Sequence, residues 1–373
     1  MDSVSILIKP ASSKCNLACK YCFYHSIAEE RECGDFGIMT DETLDELVRQ
    51  VIDYSDKFAA FAFQGGEPTI AGLDFFRKVV VLQKKYNNKG IEIQNTIQTN
   101  GTLIDENWAK FLGENNFLVG LSIDGGRSVN DFCRVYKNGK SIYDSVMNTV
   151  RLFRKHNVDF NVCSVVTSKT ADKIPSVYNF FKQKNFKFLQ FIPCLDEKAD
   201  VHSEYSLDPI GYGNFLCRLF DLWYVDFMNG EDIDIRMFSN YAQMSAGFPP
   251  EECGMCGKCT TYFVVEGNGN VYPCDFYAKD EWLLGRIEDG FNALFISKKS
   301  QFFMDSSVEK PNECVTCRYN YLCRGGCRRW RDMEGTGELK INYLCEAYKI
   351  FFKHCEDRIN KLGELIKRKM NMV

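Results

Sequence analysis

The 373-residue chain is 45% hydrophobic and sets 46 Lys and Arg against 50 Asp and Glu, a net charge of −4. That length and apolar content suffice for a large core or two adjoining ones, and the charge balance gives no reason to expect a nucleic-acid partner. Four histidines argue against a His-built metal site, and no apolar run approaches the ~20 residues needed to cross a bilayer.

The first apolar run, Val4–Ile8, is followed at once by Lys9 and is too short for a secretory signal. With no membrane contact indicated, the chain is expected to be cytoplasmic. Candidate strands then recur at Ala59–Phe63, Ile91–Gln98, Leu118–Ile123, Phe160–Val166 and Phe188–Ile192. Helical stretches separate them: Thr43–Tyr54, Phe75–Tyr86, Glu106–Glu114, Tyr143–His156 and Ile174–Lys184. Thr40 supplies an N-cap, and Asp41 and Glu42 first-turn acids, for the first of these.

Strands alternating with helices predict right-handed βαβ units and a parallel sheet. Six repeats are too few for a closed eight-stranded barrel, so the expected fold is α/β, a partial (β/α)6 barrel. Chemistry in such sheets sits at the C-terminal strand ends, where Gln64-Gly65-Gly66-Glu67-Pro68, Gln98-Thr99-Asn100-Gly101 and Asp124-Gly125-Gly126 fall. A helix over Tyr212–Met228 and a turn at Asn229-Gly230 suggest a boundary, giving domains 1–235 and 236–373. The second opens with strands Tyr262–Glu266 and Val271–Tyr272 around the hairpin turn Gly267-Asn268-Gly269-Asn270. Cysteine-rich loops follow, and a helix from Tyr343 to Lys369 closes the chain.

The reducing cytosol does not maintain disulfide frameworks, so 18 cysteines point to metal or redox chemistry. Cys15, Cys19 and Cys22, spaced Cys-x3-Cys-x2-Cys after the first strand, can hold three irons of a [4Fe–4S] cluster and leave the fourth open. Three incidental buried cysteines, or a zinc site whose fourth ligand His25 supplies, are the alternatives. Near the other end, Cys259, Cys274, Cys314, Cys317, Cys323, Cys327 and Cys345, joined by Cys253, make eight thiolates. These suit two fully ligated clusters or two structural zinc sites. Cys256 can replace a neighbouring ligand, while Cys33, Cys133, Cys163, Cys194, Cys217 and Cys355 have no metal spacing and read as core or surface thiols.

The triad, with aromatic Tyr21 before its last cysteine and Gly65-Gly66-Glu67-Pro68 after the second strand, resembles the radical SAM superfamily. The resemblance implies that the open iron chelates S-adenosylmethionine, whose reductive cleavage yields methionine and a 5′-deoxyadenosyl radical. A glycine pair lets backbone approach the methionine amino group closely. The later cysteines, with Gly269 and Cys274 in a Gly-x4-Cys relation, resemble the SPASM extension. That likeness implies three [4Fe–4S] clusters in all: one auxiliary cluster on Cys253, Cys259, Cys274 and Cys327, and another on Cys314, Cys317, Cys323 and Cys345.

Cys22-Phe23-Tyr24-His25, Phe63 to Pro68, Gln98 to Gly101, Leu121-Ser122-Ile123-Asp124-Gly125 and Tyr272-Pro273-Cys274-Asp275-Phe276-Tyr277 narrow the likeness to anaerobic sulfatase-maturating enzymes. These oxidise a Cys or Ser of an unfolded sulfatase to Cα-formylglycine. By that resemblance Tyr21 (through its backbone), Gly66, Ser122, Arg134 and Leu195 contact S-adenosylmethionine, and Tyr24, Gln64 and Gln98 line the peptide pocket. Asp275 accepts the substrate's proton, a task suited to a carboxylate. A flavodoxin or ferredoxin is the implied electron donor.

Duller readings stand beside these. Asp275 also fits an exposed turn acid, Arg134 a surface arginine, and Gln64 and Gln98 solvated amides at strand ends. Cys327-Arg328-Arg329-Trp330-Arg331 reads as a solvated or cluster-facing basic segment, and Val135–Ser141 carries no assignable motif. The enzymatic alternative is a maturase that crosslinks a ribosomally made peptide. Many of those carry an N-terminal leader-binding domain, for which the early position of Cys15 leaves no room. A plain iron–sulfur electron carrier would not need the Gly-Gly-Glu-Pro segment or six βα units.

Overall fold

All six expected strands of the first part form: β1 (Ser3–Ile8), β2 (Phe58–Phe63), β3 (Glu92–Thr99), β4 (Leu118–Ser122), β5 (Phe160–Val166) and β6 (Phe188–Pro193). The computed structural model describes residues 3–196, 203–333 and 339–370. The hairpin expected at 262–272 forms as two short strands, β8 (Val264–Val265) and β9 (Asn270–Tyr272), and β7 (Asp234–Ile235) and β10 (Gly285–Arg286) are additions. The chain packs as two compact units. The first comprises Met1–Ser122, Arg134–Asn161 and Thr261–Phe303; the second comprises Ile123–Cys133, Val162–Thr260 and Met304–Val373.

In the first unit the strand order is β10-β9-β8-β1-β2-β3-β4. β1 to β4 run parallel, with Val4 opposite Ala59 and Thr96 opposite Leu118. The sequence of β2, Phe-Ala-Ala-Phe-Ala-Phe, suits a parallel strand covered on both faces. Helices Asp41–Tyr54, Leu73–Tyr86, Glu106–Glu114 and Tyr143–Lys155 bury one face each. Thr40 caps the first by accepting from Thr43 N, with Asp41 and Glu42 in its opening turn. Phe63 meets Phe76 at 5.0 Å, and Phe76 meets Trp108 at 5.2 Å, both edge to face.

β8 lies parallel to β1, with Leu7 opposite Val264, and turns back antiparallel through β9. The turn is the Gly-Asn-Gly-Asn segment, closed by Gly269 N donating to Glu266 O at 2.9 Å. Pairing to β1 matters most for function. It carries the chain from Thr261 to Phe303 alongside the end of the first strand.

In the second unit β5 pairs parallel with β6, and β6 with β7. Helices Ile174–Gln183, Pro209–Met228, Arg236–Ser245 and Cys345–Met370 cover them. The last begins two residues after the expected Tyr343. Its buried positions Tyr348, Phe351, Phe352, Cys355, Ile359 and Leu362 repeat at helical spacing. Phe351 packs on Phe220 at 5.8 Å and Phe238 at 5.6 Å, and Phe352 on Tyr241 at 5.1 Å. Much of the phenylalanine wealth is spent in these two aromatic cores.

Among the described residues β10 and β7 each pair on one side only, so the sheet stays open. The open α/β architecture expected from six βα units is what forms. Among the described residues no helix is long and apolar enough to cross a membrane.

Candidate active site

The chain leaves β1 at Ile8 and reaches the cysteine triad through a short run of turns. Cys15, Cys19 and Cys22 are all half-buried. Burial pushes the Cys15 thiol up to about 11 and raises Cys22 as well, while the Arg134 guanidinium pulls both the other way. Leu17 N points at Cys15 Sγ from 3.4 Å, and Asn100 Nδ2 lies 3.9 Å from it. Desolvated thiols with amide donors beside them ionise when cationic iron meets them, so these residues fit a cluster. Among the described residues no three His, Cys, Asp or Glu side chains converge tightly enough for one metal ion. A four-iron cluster binds each thiolate on a different iron and needs no such convergence. His25, raised as a zinc ligand, is exposed.

The loop that had no motif has a use. Ala18 N donates to Val135 O at 3.0 Å, Leu17 bridges Tyr136, and Val135 bridges Ser141. The backbone of Val135–Ser141 thus braces the cysteine loop.

The Gly-Gly-Glu-Pro turn braces it from another side. Gly66 has φ +53°, and a Cβ there would sit 2.3 Å from Lys14 O, so only glycine fits. Glu67 N donates to that same Lys14 oxygen at 2.8 Å. The Glu67 carboxylate, 1% exposed, accepts from Thr69 N, Thr69 Oγ1, Thr99 Oγ1 and Asn100 N at 2.6–3.1 Å. Burial still raises its pKa. One carboxylate therefore ties the turn after β2 to the turn after β3, and Asn100 continues to Asn16 Oδ1 at 3.0 Å.

Of the residues expected at S-adenosylmethionine, Tyr21, Gly66, Ser122 and Arg134 belong to the first unit and Leu195 to the second. Arg134 is 7% exposed and lies over the Tyr21 ring at 5.4 Å, which removes the surface-arginine alternative. Ser122 Oγ accepts from Gln98 Nε2 at 2.9 Å. Gln98 is thus drawn to this group, and it is no free solvated amide.

Tyr24, Gln64 and Asp275 meet directly. The Tyr24 hydroxyl donates to Asp275 Oδ2 at 2.5 Å, and Gln64 Nε2 lies 2.9 Å from that hydroxyl and 3.4 Å from Oδ2. Asp275 is 8% exposed, and its Oδ1 is buried with no hydrogen-bond partner among the described residues. The exposed turn-acid alternative does not hold. Burial raises the Asp275 pKa, opposed by Lys9 and by the Tyr24 hydrogen bond. The Tyr24 ring is half-buried, but burial around its hydroxyl and the nearby Asp275 hold its pKa well above the usual tyrosine value. The result is a carboxylate with one oxygen held and one free, the arrangement a proton acceptor needs.

The later cysteines fall into two neighbourhoods in the second unit. Cys253 and Cys259 both act on Cys327, which burial pushes up to about 12, and Cys256 neighbours Cys253. Cys345, Cys314 and Cys317 act on Cys323, pushed up to about 11. Cys274 follows β9 in the first unit, next to Asp275. The basic segment is not simply solvated. Arg328 and Arg331 are buried, and Arg331 Nη1 donates to Ser307 O at 2.8 Å. Ser307 in turn accepts from Cys259 N at 2.7 Å.

The radical SAM superfamily profile matches residues 10–181, and the SPASM iron–sulfur cluster-binding domain matches residues 241–318. A cysteine-type anaerobic sulfatase-maturating enzyme of Clostridium perfringens is 47% identical over 370 residues, covering 98% of this chain and 100% of that protein. The chain belongs to the anaerobic sulfatase-maturating enzyme family. A serine-type member from Bacteroides thetaiotaomicron is 33% identical over 94% of this chain and 88% of its own length. The structure of native anSMEcpe with bound AdoMet and Cp18Cys peptide matches with TM-score 0.94 and 47% identity, over 98% of this chain and 100% of that one. SuiB of Streptococcus suis, bound to precursor peptide SuiA, shares the fold at TM-score 0.61 and 17% identity, over 92% of this chain and 76% of its own.

The chain is accordingly a radical SAM enzyme of the sulfatase-maturating family, with S-adenosylmethionine and [4Fe–4S] clusters as its cofactors. Within this family member, sequence reasoning missed Lys9, Arg31 and Glu266 as one buried ion network beside Asp275. Lys9 Nζ is 2.8 Å and Arg31 Nη1 2.6 Å from Glu266 Oε1. A lysine directly after an apolar strand was the available signal. Its burial depends on β8 docking beside β1, which no local pattern announces.

Proposed function

We propose that this enzyme oxidises a cysteine of an unfolded sulfatase to Cα-formylglycine without oxygen. The observation that carries this is the buried Tyr24–Asp275–Gln64 contact with its free Asp275 Oδ1. The 47% identity to the cysteine-type enzyme, against 33% to the serine-type one, favours cysteine.

Cys15, Cys19 and Cys22 would hold the S-adenosylmethionine-binding cluster. Cys253, Cys259, Cys274 and Cys327 would hold one auxiliary cluster, and Cys314, Cys317, Cys323 and Cys345 the other. Bound there, the clusters would supply the electron for reductive cleavage of S-adenosylmethionine to methionine and a 5′-deoxyadenosyl radical, and would accept the electron that the substrate returns. Gly66, Ser122, Arg134, Leu195 and the Tyr21 backbone orient S-adenosylmethionine, with Gln98 steadying Ser122. Tyr24 and Gln64 hold Asp275 Oδ2, leaving Oδ1 to accept the substrate thiol proton. Loss of a hydrogen atom from Cβ, that proton and one electron leaves a thioaldehyde. Water converts it to the aldehyde and releases hydrogen sulfide.

The working domain division is 1–235 for the radical chemistry and 236–373 for the auxiliary clusters, in a cytoplasmic enzyme reduced by a flavodoxin or ferredoxin. The test is anaerobic incubation with S-adenosylmethionine, a reductant and sulfatase-motif peptides carrying Cys or Ser at the target, followed by mass spectrometry. Formylglycine from the Cys peptide, at least about tenfold faster than from Ser, is the expected result. A thioether or carbon–carbon crosslink with no aldehyde would overturn the proposal in favour of peptide crosslinking.

A further inference from the structure

We propose that Lys9 is a positioning residue for the proton-accepting pair, setting Tyr24 and the turn bearing Gln64 against the hairpin that carries Asp275. The inference rests on the formylglycine reading above.

Lys9 is 2% exposed, an extreme for a lysine. Burying an ammonium costs several kcal/mol on the scale of such desolvations (roughly, after relaxation), so the site must return something specific. Its charge is met by Glu266, 0% exposed, at 2.8 Å. Yet Glu266 already has Arg31 at 2.6 Å, and Arg31 Nε also donates to Ala278 O. One carboxylate serving two buried cations is more than neutrality of Glu266 requires. A pair of Glu266 and Arg31 alone would bind the hairpin to the chain after the first cysteines.

What Lys9 adds is contact with the site. Its ammonium lies 4.8 Å from the centre of the Tyr24 ring, within cation–π range. Its aliphatic stem crosses Gly65, where a Cβ would come within 2.5 Å of Lys9 Cε, at φ +104°. Gly65 directly follows Gln64. Lys9 N also donates to Val265 O at 2.8 Å, beside Glu266. Lys9 therefore touches, through its side chain, the residue that donates to Asp275 and the turn that carries the second donor, and, through its backbone N–H, the first strand of the hairpin. Arg31 touches the hairpin but has no contact with the Tyr24 ring among those described, which makes it a control for simple destabilisation.

The experiment compares wild type, Lys9→Met, Lys9→Arg and Arg31→Gln with S-adenosylmethionine, reductant and a Cys-containing sulfatase-motif peptide. Three quantities are read: formylglycine formed per 5′-deoxyadenosine, peptide Kd by fluorescence anisotropy, and the thermal midpoint. Lys9→Met should cut the product ratio by about 10–100-fold, the cost of a small misplacement of reacting groups, while 5′-deoxyadenosine continues and peptide Kd stays within about threefold. Lys9→Arg, which keeps the charge but not the shape, should fall between. Arg31→Gln should lower the thermal midpoint and cut the ratio by no more than about threefold, because Arg31 acts on Asp275 only through its charge.

A Lys9→Met ratio within about twofold of wild type overturns the inference. So does an Arg31→Gln ratio as low as that of Lys9→Met, since general loosening would then explain both. If Lys9→Met does not fold, Lys9→Arg against Arg31→Gln decides by the same rule. A wild type that makes 5′-deoxyadenosine but no formylglycine overturns the functional reading itself, and is told apart by needing no variant.

Discussion

Replacing Asp275 by Asn isolates its charge from its shape. In the wild type, Oδ2 accepts from the Tyr24 hydroxyl at 2.5 Å and Oδ1 is buried without a partner among the described residues. The Asn carboxamide oxygen can keep the Tyr24 bond. Its NH₂ then stands where Oδ1 was, an unsatisfied buried donor costing about 1–3 kcal/mol. It also leaves Lys9 and Arg31 with only Glu266 to balance them. That loss is tolerable against a domain stability of roughly 5–15 kcal/mol, so iron content and S-adenosylmethionine cleavage should survive. The amide cannot take up the thiol proton. Formylglycine per 5′-deoxyadenosine should therefore fall by about 10²–10⁴, equivalent to about 3–5 kcal/mol of lost transition-state stabilisation. The assay is anaerobic, with peptide and nucleoside products quantified together and iron measured on the same sample. Product within a few-fold of wild type, with iron intact, would refute the assignment of Asp275 as proton acceptor.

Reconstituted wild type should bind about twelve irons per chain, and replacing Cys15, Cys19 and Cys22 together by Ala should leave about eight and abolish S-adenosylmethionine cleavage; iron near four with two zinc ions would contradict the auxiliary-cluster assignment. Gly66→Ala should cost about 1–3 kcal/mol from its left-handed backbone alone, and more from the clash with Lys14 O, read as a lower thermal midpoint together with weaker S-adenosylmethionine binding. Burial would raise the Glu266 pKa, but Lys9 and Arg31 outweigh it and hold it below the ordinary 4.5. A depressed carboxylate contributes stability fully above the unfolded value and loses it as pH falls through the folded one. Glu266→Gln should therefore cost about 3–5 kcal/mol near neutrality, where it strands two buried cations, and the gap in thermal midpoint to wild type should narrow below about pH 4.5.

The parts of the site that lie close in sequence were legible. Cysteine spacing named the triad, Thr40 announced its helix, and six apolar runs gave the six main strands with shifts of a residue or so. The Tyr24–Asp275 hydrogen bond joins residues 251 apart, and only resemblance had associated them. Their meeting depends on β8 lying along β1, a two-residue pairing too short to leave a period in the sequence. Glu67 was seen as part of a turn, but its four hydrogen bonds reach a second strand end and were not foreseeable from one segment. Val135–Ser141 looked featureless because its contribution to the cysteine loop is made by backbone, which carries no side-chain signature.

The central claim is that hydrogen is taken from the Cβ of a peptide cysteine and the residue leaves as an aldehyde. A sulfatase-motif peptide with cysteine deuterated at Cβ tests both halves in one anaerobic incubation with S-adenosylmethionine and reductant. The account predicts deuterium in 5′-deoxyadenosine and formylglycine in the peptide, formed in matching amounts. Unlabelled 5′-deoxyadenosine alongside an unchanged peptide would contradict it.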